Sequence, residues 1–173
     1  IGTNPSVAEA LLRRAVLFIT DAHNGPFRKS GMPDTERPLE VAKILADLQL
    51  DTASVLAGLL HDVVEDTPHT LKELTEMFGE ETAFMVDAVT KISAVQKQKN
   101  KDAEKAETYR KLVNAMAKDP RVLLIKIADR LHNMRTMRYM KPEKRQSIAQ
   151  ETLDIYVPLT HRFGLYKFKS ELE

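Results

Sequence analysis

The chain has 173 residues, 43% hydrophobic and 29% charged, values that suit a globular protein with a sizeable core. Lys and Arg number 26 against 25 Asp and Glu, so there is no basic field and direct DNA binding is not expected. The absence of cysteine excludes disulfides and thiol catalysis and fits a cytoplasmic location, and no apolar run approaches the ~20 residues that span a membrane. Ile1 is not a natural start, so a preceding N-terminal piece is expected.

Six Gly and eight Pro punctuate long periodic segments, which predicts an all-α fold with no strand of convincing length and no internal repeat. Ser6 is a candidate N-cap for a first helix carrying Val7, Leu11, Leu12, Ala15, Phe18 and Ile19, ending near His23-Asn24-Gly25. A cationic, turn-rich loop follows from Pro26 to Arg37, and Pro38 suits the first position of the next helix. The core face of that helix is read as Leu39, Ala42 and Leu45, with Val41, Ile44 and Leu48 flanking. Asp51 then caps a strongly apolar helix that runs into His61-Asp62-Val63-Val64-Glu65-Asp66-Thr67.

If this stretch stays helical, His61 and Glu65, and Asp62 and Asp66, are each four residues apart. Three carboxylates and an imidazole at one helix end repel one another unless a cation sits among them. A lone His-Asp pair would read as a solvated helix end. This spacing on so apolar a helix favours a divalent-metal site.

Thr70-Leu71-Lys72-Glu73 has the form of a capping box, and Phe78-Gly79 closes the short helix it begins. A longer helix is predicted from Glu80 to about Ile92, a charged loop or frayed end over Gln96 to Lys105, and an amphipathic helix marked by Tyr109, Leu112, Val113 and Met116. Asp119-Pro120 begins a helix running to about Met140, whose first half, Val122 to Ala128, is almost continuously apolar. Asp129, Arg130, His132, Asn133, Arg135 and Thr136 follow abruptly. A carboxylate beside a buried run is costly unless it is paired, here with Arg130 or Arg135, or bound to a metal. Two apolar helices that each end in acids and imidazole are best explained by one shared site. A further helix from Glu143 is predicted to close at Val157-Pro158, and the last residues read as the start of another.

With both helices read, HDVVEDT at His61–Thr67 and KIADRLHNMRT at Lys126–Thr136 resemble the hydrolase domain of the RelA/SpoT homologue enzymes. These are members of the broad HD metal-dependent phosphohydrolases. The likeness extends through Arg28-Lys29-Ser30-Gly31, Pro38-Leu39-Glu40-Val41-Ala42 and Pro158 to Gly164. It implies an all-α, HD-domain multi-helix bundle that removes the 3′-pyrophosphate of ppGpp or pppGpp with Mn²⁺. The hydrolase domain would occupy residues 1–157, and residues 158–173 would begin a linker toward downstream synthetase and regulatory domains. By resemblance, His61, Asp62 and Asp129 are metal ligands, and Glu65 and Asp66 position or activate the attacking water. Arg28, Lys29, Asn133 and Thr136 contact the guanine nucleotide.

One position departs from the family pattern. Arg37 stands where a ligating His is expected just before Pro38. A guanidinium has no lone pair to give, so Arg37 is no ligand. Three arrangements follow: Arg37 turned toward Asp62 and Asp129 in the metal's place, Glu36 substituting as an oxygen ligand, or Arg37 in solvent. The departure favours weakened metal binding, and with it the alternative of a hydrolase-impaired regulatory domain.

Overall fold

The structure, a computed structural model, describes residues 5–23, 36–96, 101–162 and 166–173. Among these the secondary structure is helical with no strand, as the periodicity predicts. The chain divides into two compact units, residues 1–93 and 94–173.

In the first unit α1 (Pro5–His23), α2 (Glu36–Asp47) and α3 (Thr52–Leu60) pack together, with α1 and α2 both against α3. Helix α1 begins on Pro5, so Ser6 lies inside the helix and is not its N-cap; a proline is pre-organised for that first position. Helix α2 begins on Glu36, which makes Pro38 its third residue and not its first. Its buried face is Pro38, Val41, Ala42, Ile44 and Leu45, whereas Leu39 and Leu48 are only half-buried. Gly58 on α3 lets the two helices approach: a Cβ there would lie 2.5 Å from Leu45 Cδ1 and 3.6 Å from Val41 Cγ1. Asp51 is the N-cap residue of α3: its carbonyl accepts from the Val55 N–H at 3.2 Å, while its carboxylate accepts from the Ser54 hydroxyl and makes no side-chain cap to the helix backbone.

The single-turn α4 (Val63–Asp66) and α5 (Leu71–Phe78) follow. Thr70 caps α5 by accepting from the Glu73 N–H at 3.3 Å, and Gly79, at φ 94°, ends it in a conformation natural to glycine. The Glu73 carboxylate, expected to reach back to Thr70, instead meets His69 Nδ1 at 2.7 Å. His69 in turn lies against the Phe18 ring, their centroids 4.7 Å apart. Helix α6 (Glu80–Gln96) outlasts its predicted end at Ile92.

In the second unit α7 (Lys101–Lys118) takes in half of the stretch read as a loop, of which residues 97–100 lie outside the described residues. Charge density suggested a loop, but Lys, Glu and Ala are strong helix formers whatever their charge. Helix α8 (Pro120–Arg135) is buried nearly all round from Val122 to Leu131 and packs on α7 and on α11 (Tyr166–Leu172). Its N-cap is Asp119, whose Oδ1 accepts from the Arg121 N–H at 3.0 Å while its carboxylate grips the Arg121 guanidinium at 2.7 Å. It ends earlier than predicted, at Arg135, and a 3₁₀ turn spans Met137–Tyr139. Lys141 is extended, as the residue before Pro142 prefers, and α9 (Pro142–Glu151) starts there.

The chain does not close at Val157-Pro158. It passes through a π-turn, Thr152–Tyr156, and continues as α10 (Val157–Arg162). An α-turn would set the Pro158 ring against the carbonyl four residues back, and the wider turn relieves that conflict. Helices α10 and α11 pack within this unit, so residues 158–173, expected to begin a linker, are largely helical.

Two stability predictions follow. Gly58→Val should destabilise the protein by about 2 kcal/mol through overpacking, and adding Leu45→Ala should recover part of the loss, measured as a double-mutant cycle in urea. The Arg121 guanidinium, hydrogen-bonded to Asp119, holds the Asp119 carboxyl below its usual range. A lowered folded-state pKa means that the contribution of Asp119 is complete above about pH 4 and is lost as pH falls below that. Asp119→Ala should therefore cost about 1–2 kcal/mol near pH 7 and less than that near pH 3.

Candidate functional site

The apolar helix and the acidic stretch are not one continuous α-helix. Helix α3 stops at Leu60, His61 and Asp62 form a turn, and Asp62 is the N-cap residue of α4. The Asp66 N–H still bonds to the Asp62 carbonyl at 2.9 Å, so the predicted four-residue spacing of Asp62 and Asp66 survives. Adjacent residues of an unbroken helix point roughly 100° apart and do not face each other. The interruption lets them converge: His61 Nε2 lies 3.2 Å from Asp62 Oδ2.

The imidazole of His61 is 2% exposed, and its Nδ1 lies 2.6 Å from the Gly58 carbonyl oxygen. A carbonyl only accepts, so Nδ1 carries the proton and donates it there. In the neutral ring Nε2 then presents its lone pair to a carboxylate oxygen, two acceptors facing each other, an arrangement that calls for a proton or cation. Orientation of one ring nitrogen by a backbone carbonyl is also how a ligating His is held. Two donor atoms each about 2.1 Å from one metal ion stand roughly 3 to 3.4 Å apart, so the pair suits a shared divalent cation. Among the described residues no group of three or more His, Asp or Glu side chains is gathered in a way that could hold a metal.

Arg37 is turned toward Asp62, its Nε 3.9 Å from Oδ2, with Arg37 41% and Asp62 16% exposed. This matches the Asp62 half of the first of the three arrangements expected for Arg37. Glu36 is exposed at the start of α2. Of the acidic pair in α4, Glu65 is half-buried and Asp66 exposed. Arg28 and Lys29 lie outside the described residues.

In the second unit Asp129 is 6% exposed on α8. Neither arginine suggested as its partner makes its closest ion pair there. Arg130 pairs with Glu151, donates to the Ile148 carbonyl at 3.4 Å and stacks 4.4 Å over the Tyr156 ring, and Arg135 pairs with Glu171 at 2.6 Å. Burial disfavours the Arg130 charge, yet Tyr156, Glu151 and Asp129 hold its pKa above the ordinary value. An ion-pair partner of Asp129 on its own helix is Lys126, a 3% exposed lysine with Nζ at 4.0 Å. Lys126 is not among the residues the sequence singles out; its signal is an ammonium inside an apolar run, three residues before an acid on the same helix face.

Asn133 and Thr136 are half-buried at the end of α8. The Thr136 hydroxyl donates to the His132 carbonyl at 2.9 Å and lies 3.4 Å from that of Asn133, so its lone pairs are what it has to offer a ligand.

A protein-family model described as an HD domain matches residues 15–166. A GTP pyrophosphokinase of Myxococcus xanthus is 50% identical over 165 residues, covering 94% of this chain and 22% of that protein. The bifunctional (p)ppGpp synthase/hydrolase SpoT of Escherichia coli (strain K12) is 48% identical over 162 residues, covering 94% of this chain and 23% of that one. The chain thus spans about a fifth of the length of these curated relatives. Among solved structures, a metazoan ortholog of SpoT described as hydrolysing ppGpp is 27% identical with a TM-score of 0.65, covering 89% of this chain and 86% of that one.

Removing Arg130 strands the mostly buried Glu151 carboxylate. Arg130→Met should cost about 3 kcal/mol, and Arg130→Met with Glu151→Leu should recover most of it, read by urea denaturation of the four proteins of the cycle.

Proposed function

Because this chain belongs to the HD-domain family, we propose that it hydrolyses the 3′-pyrophosphate of ppGpp or pppGpp to give GDP or GTP. The observation that carries this reading is the buried, carbonyl-oriented His61 with Nε2 3.2 Å from Asp62 Oδ2. His61 and Asp62 would supply an imidazole and a carboxylate to a metal ion, and the family resemblance adds Asp129 to them; such a mixed donor set suits Mn²⁺ better than Ca²⁺. A divalent ion such as Mn²⁺ supplies an acidified water and neutralises charge on the attacked phosphate.

The chain's own residues carry the remaining work. Glu65 accepts the proton of the attacking water, and Asp66 orients it. The water oxygen bonds to the phosphorus attached at the ribose 3′ oxygen, the bond from phosphorus to that oxygen breaks, and the 3′ oxygen leaves with a proton as pyrophosphate is released. Arg28 and Lys29 hold the nucleotide's anionic or base face, and the lone pairs of Thr136 with the Asn133 amide meet ribose hydroxyls. In this reading the chain is the hydrolase domain of a larger cytoplasmic synthetase/hydrolase.

A second reading is favoured by one observation, the approach of Arg37 to Asp62. There the domain hydrolyses little or nothing and regulates the rest of the protein. Pyrophosphate release from ppGpp separates the two. Release with Mn²⁺ that EDTA abolishes, and that Glu65→Gln lowers at least about 100-fold, supports the hydrolase. No release with Mn²⁺, restored by Arg37→His, supports the regulatory domain.

A further inference from the structure

Asp62 Oδ2 faces two nitrogens of opposite character. One is His61 Nε2 at 3.2 Å, whose ring proton is committed on the far side to the Gly58 carbonyl. The other is Arg37 Nε at 3.9 Å, on a guanidinium that stays charged at every physiological pH. A single carboxylate oxygen is therefore shared between an imidazole edge suited to a metal and a cation built into the chain.

We propose that Arg37 is a resident counter-ion of Asp62 that competes with a divalent metal for the His61–Asp62 pair. The inference rests on reading that pair as metal ligands and adds what sets its affinity. The competition is electrostatic before it is steric. A doubly charged ion at the pair would stand within a few ångströms of the guanidinium, and the repulsion falls on the metal because Arg37 cannot shed its proton. Desolvation strengthens the effect on the Asp62 side, where the carboxylate is 16% exposed.

The same geometry makes Arg37 displaceable. Its side chain is 41% exposed, so water can take over its solvation, and the worth of the pair is that of a partly screened ion pair. Its backbone lies in the first turn of α2, where the positive end of the helix dipole disfavours a cation. The helix itself is held to α3 by packing of Val41 and Leu45 around Gly58, so the distance from the Arg37 backbone to Asp62 is set by the core and the side chain alone has to swing. Metal entry then couples to outward movement of Arg37, and occupancy follows metal concentration and not permanent retention.

The test is a calorimetric titration of the intact chain with MnCl₂ alone, without nucleotide, comparing the unmodified protein with Arg37→Lys, Arg37→Gln and Arg37→His, each checked by thermal melting. Arg37→Gln removes the charge and adds no strong ligand, and it is expected to bind Mn²⁺ about tenfold more tightly than the unmodified protein. Arg37→Lys keeps the charge and should stay within about threefold of it, while Arg37→His should bind most tightly of all. Equal affinity of Arg37→Gln and the unmodified protein, with tighter binding by Arg37→His, would overturn the competition and leave the metal ligands standing. An Arg37→Lys protein as tight as Arg37→Gln would overturn it too, because charge would not be the cause. Folded proteins of which none binds Mn²⁺, Arg37→His included, would sink both this inference and the metal reading beneath it.

Discussion

The short hydrogen bond from the buried His61 imidazole to the Gly58 carbonyl is the constraint on which the candidate site depends. It assigns the ring proton to Nδ1, fixes the ring plane, and turns Nε2 toward Asp62. The carbonyl can be supplied only because α3 ends within one turn of it, and α3 is held in place by the close approach of α2 at a glycine. Packing, helix termination and the orientation of a donor atom are here one structural fact viewed at three scales. A side chain at Gly58 would disturb all three through Leu45.

The second unit solves a related problem differently. Helix α8 is so thoroughly buried that its polar residues each need a partner nearby. Arg130 finds a carboxylate, a carbonyl and an aromatic face on the segment that includes the π-turn. Arg135 is taken by Glu171, and a buried lysine one turn back attends Asp129. The π-turn serves both needs, letting the helix run past Pro158 while presenting Tyr156 to the guanidinium. The arginines nearest in sequence to Asp129 make their closest ion pairs with Glu151 and Glu171, and Lys126 adds a positive charge on the Asp129 side.

Much of the fold was legible in the chain. The side-chain caps at Thr70 and Asp119, the glycine stop at Gly79 and the proline start at Pro142 stand where their chemistry puts them, and Asp51 holds the N-cap position of α3 without a side-chain cap. Sequence and structure part where two local signals compete. Charge masks the helical propensity of residues 101–105, a π-turn carries the helix past Pro158, and Pro5 stands at a helix start beside the stronger capping residue Ser6. The candidate residues His61, Asp62, Glu65, Asp66, Asp129, Asn133 and Thr136 were visible as polar groups arriving abruptly after apolar runs. Lys126 is hard to see in the sequence because a long aliphatic stem in an apolar run blends with that run.

By itself the sequence determined the helical class, most element ends and the residue types available for chemistry, because caps, periodicity and the contrast between apolar runs and acids are properties of neighbours in the chain. Tertiary structure alone decided that Gly58 seats α3 against Val41 and Leu45 of α2 and that Arg37 reaches Asp62. Those outcomes depend on how closely two helices approach and on which atoms a fixed side chain can reach, and residues 25 positions apart carry no local record of either.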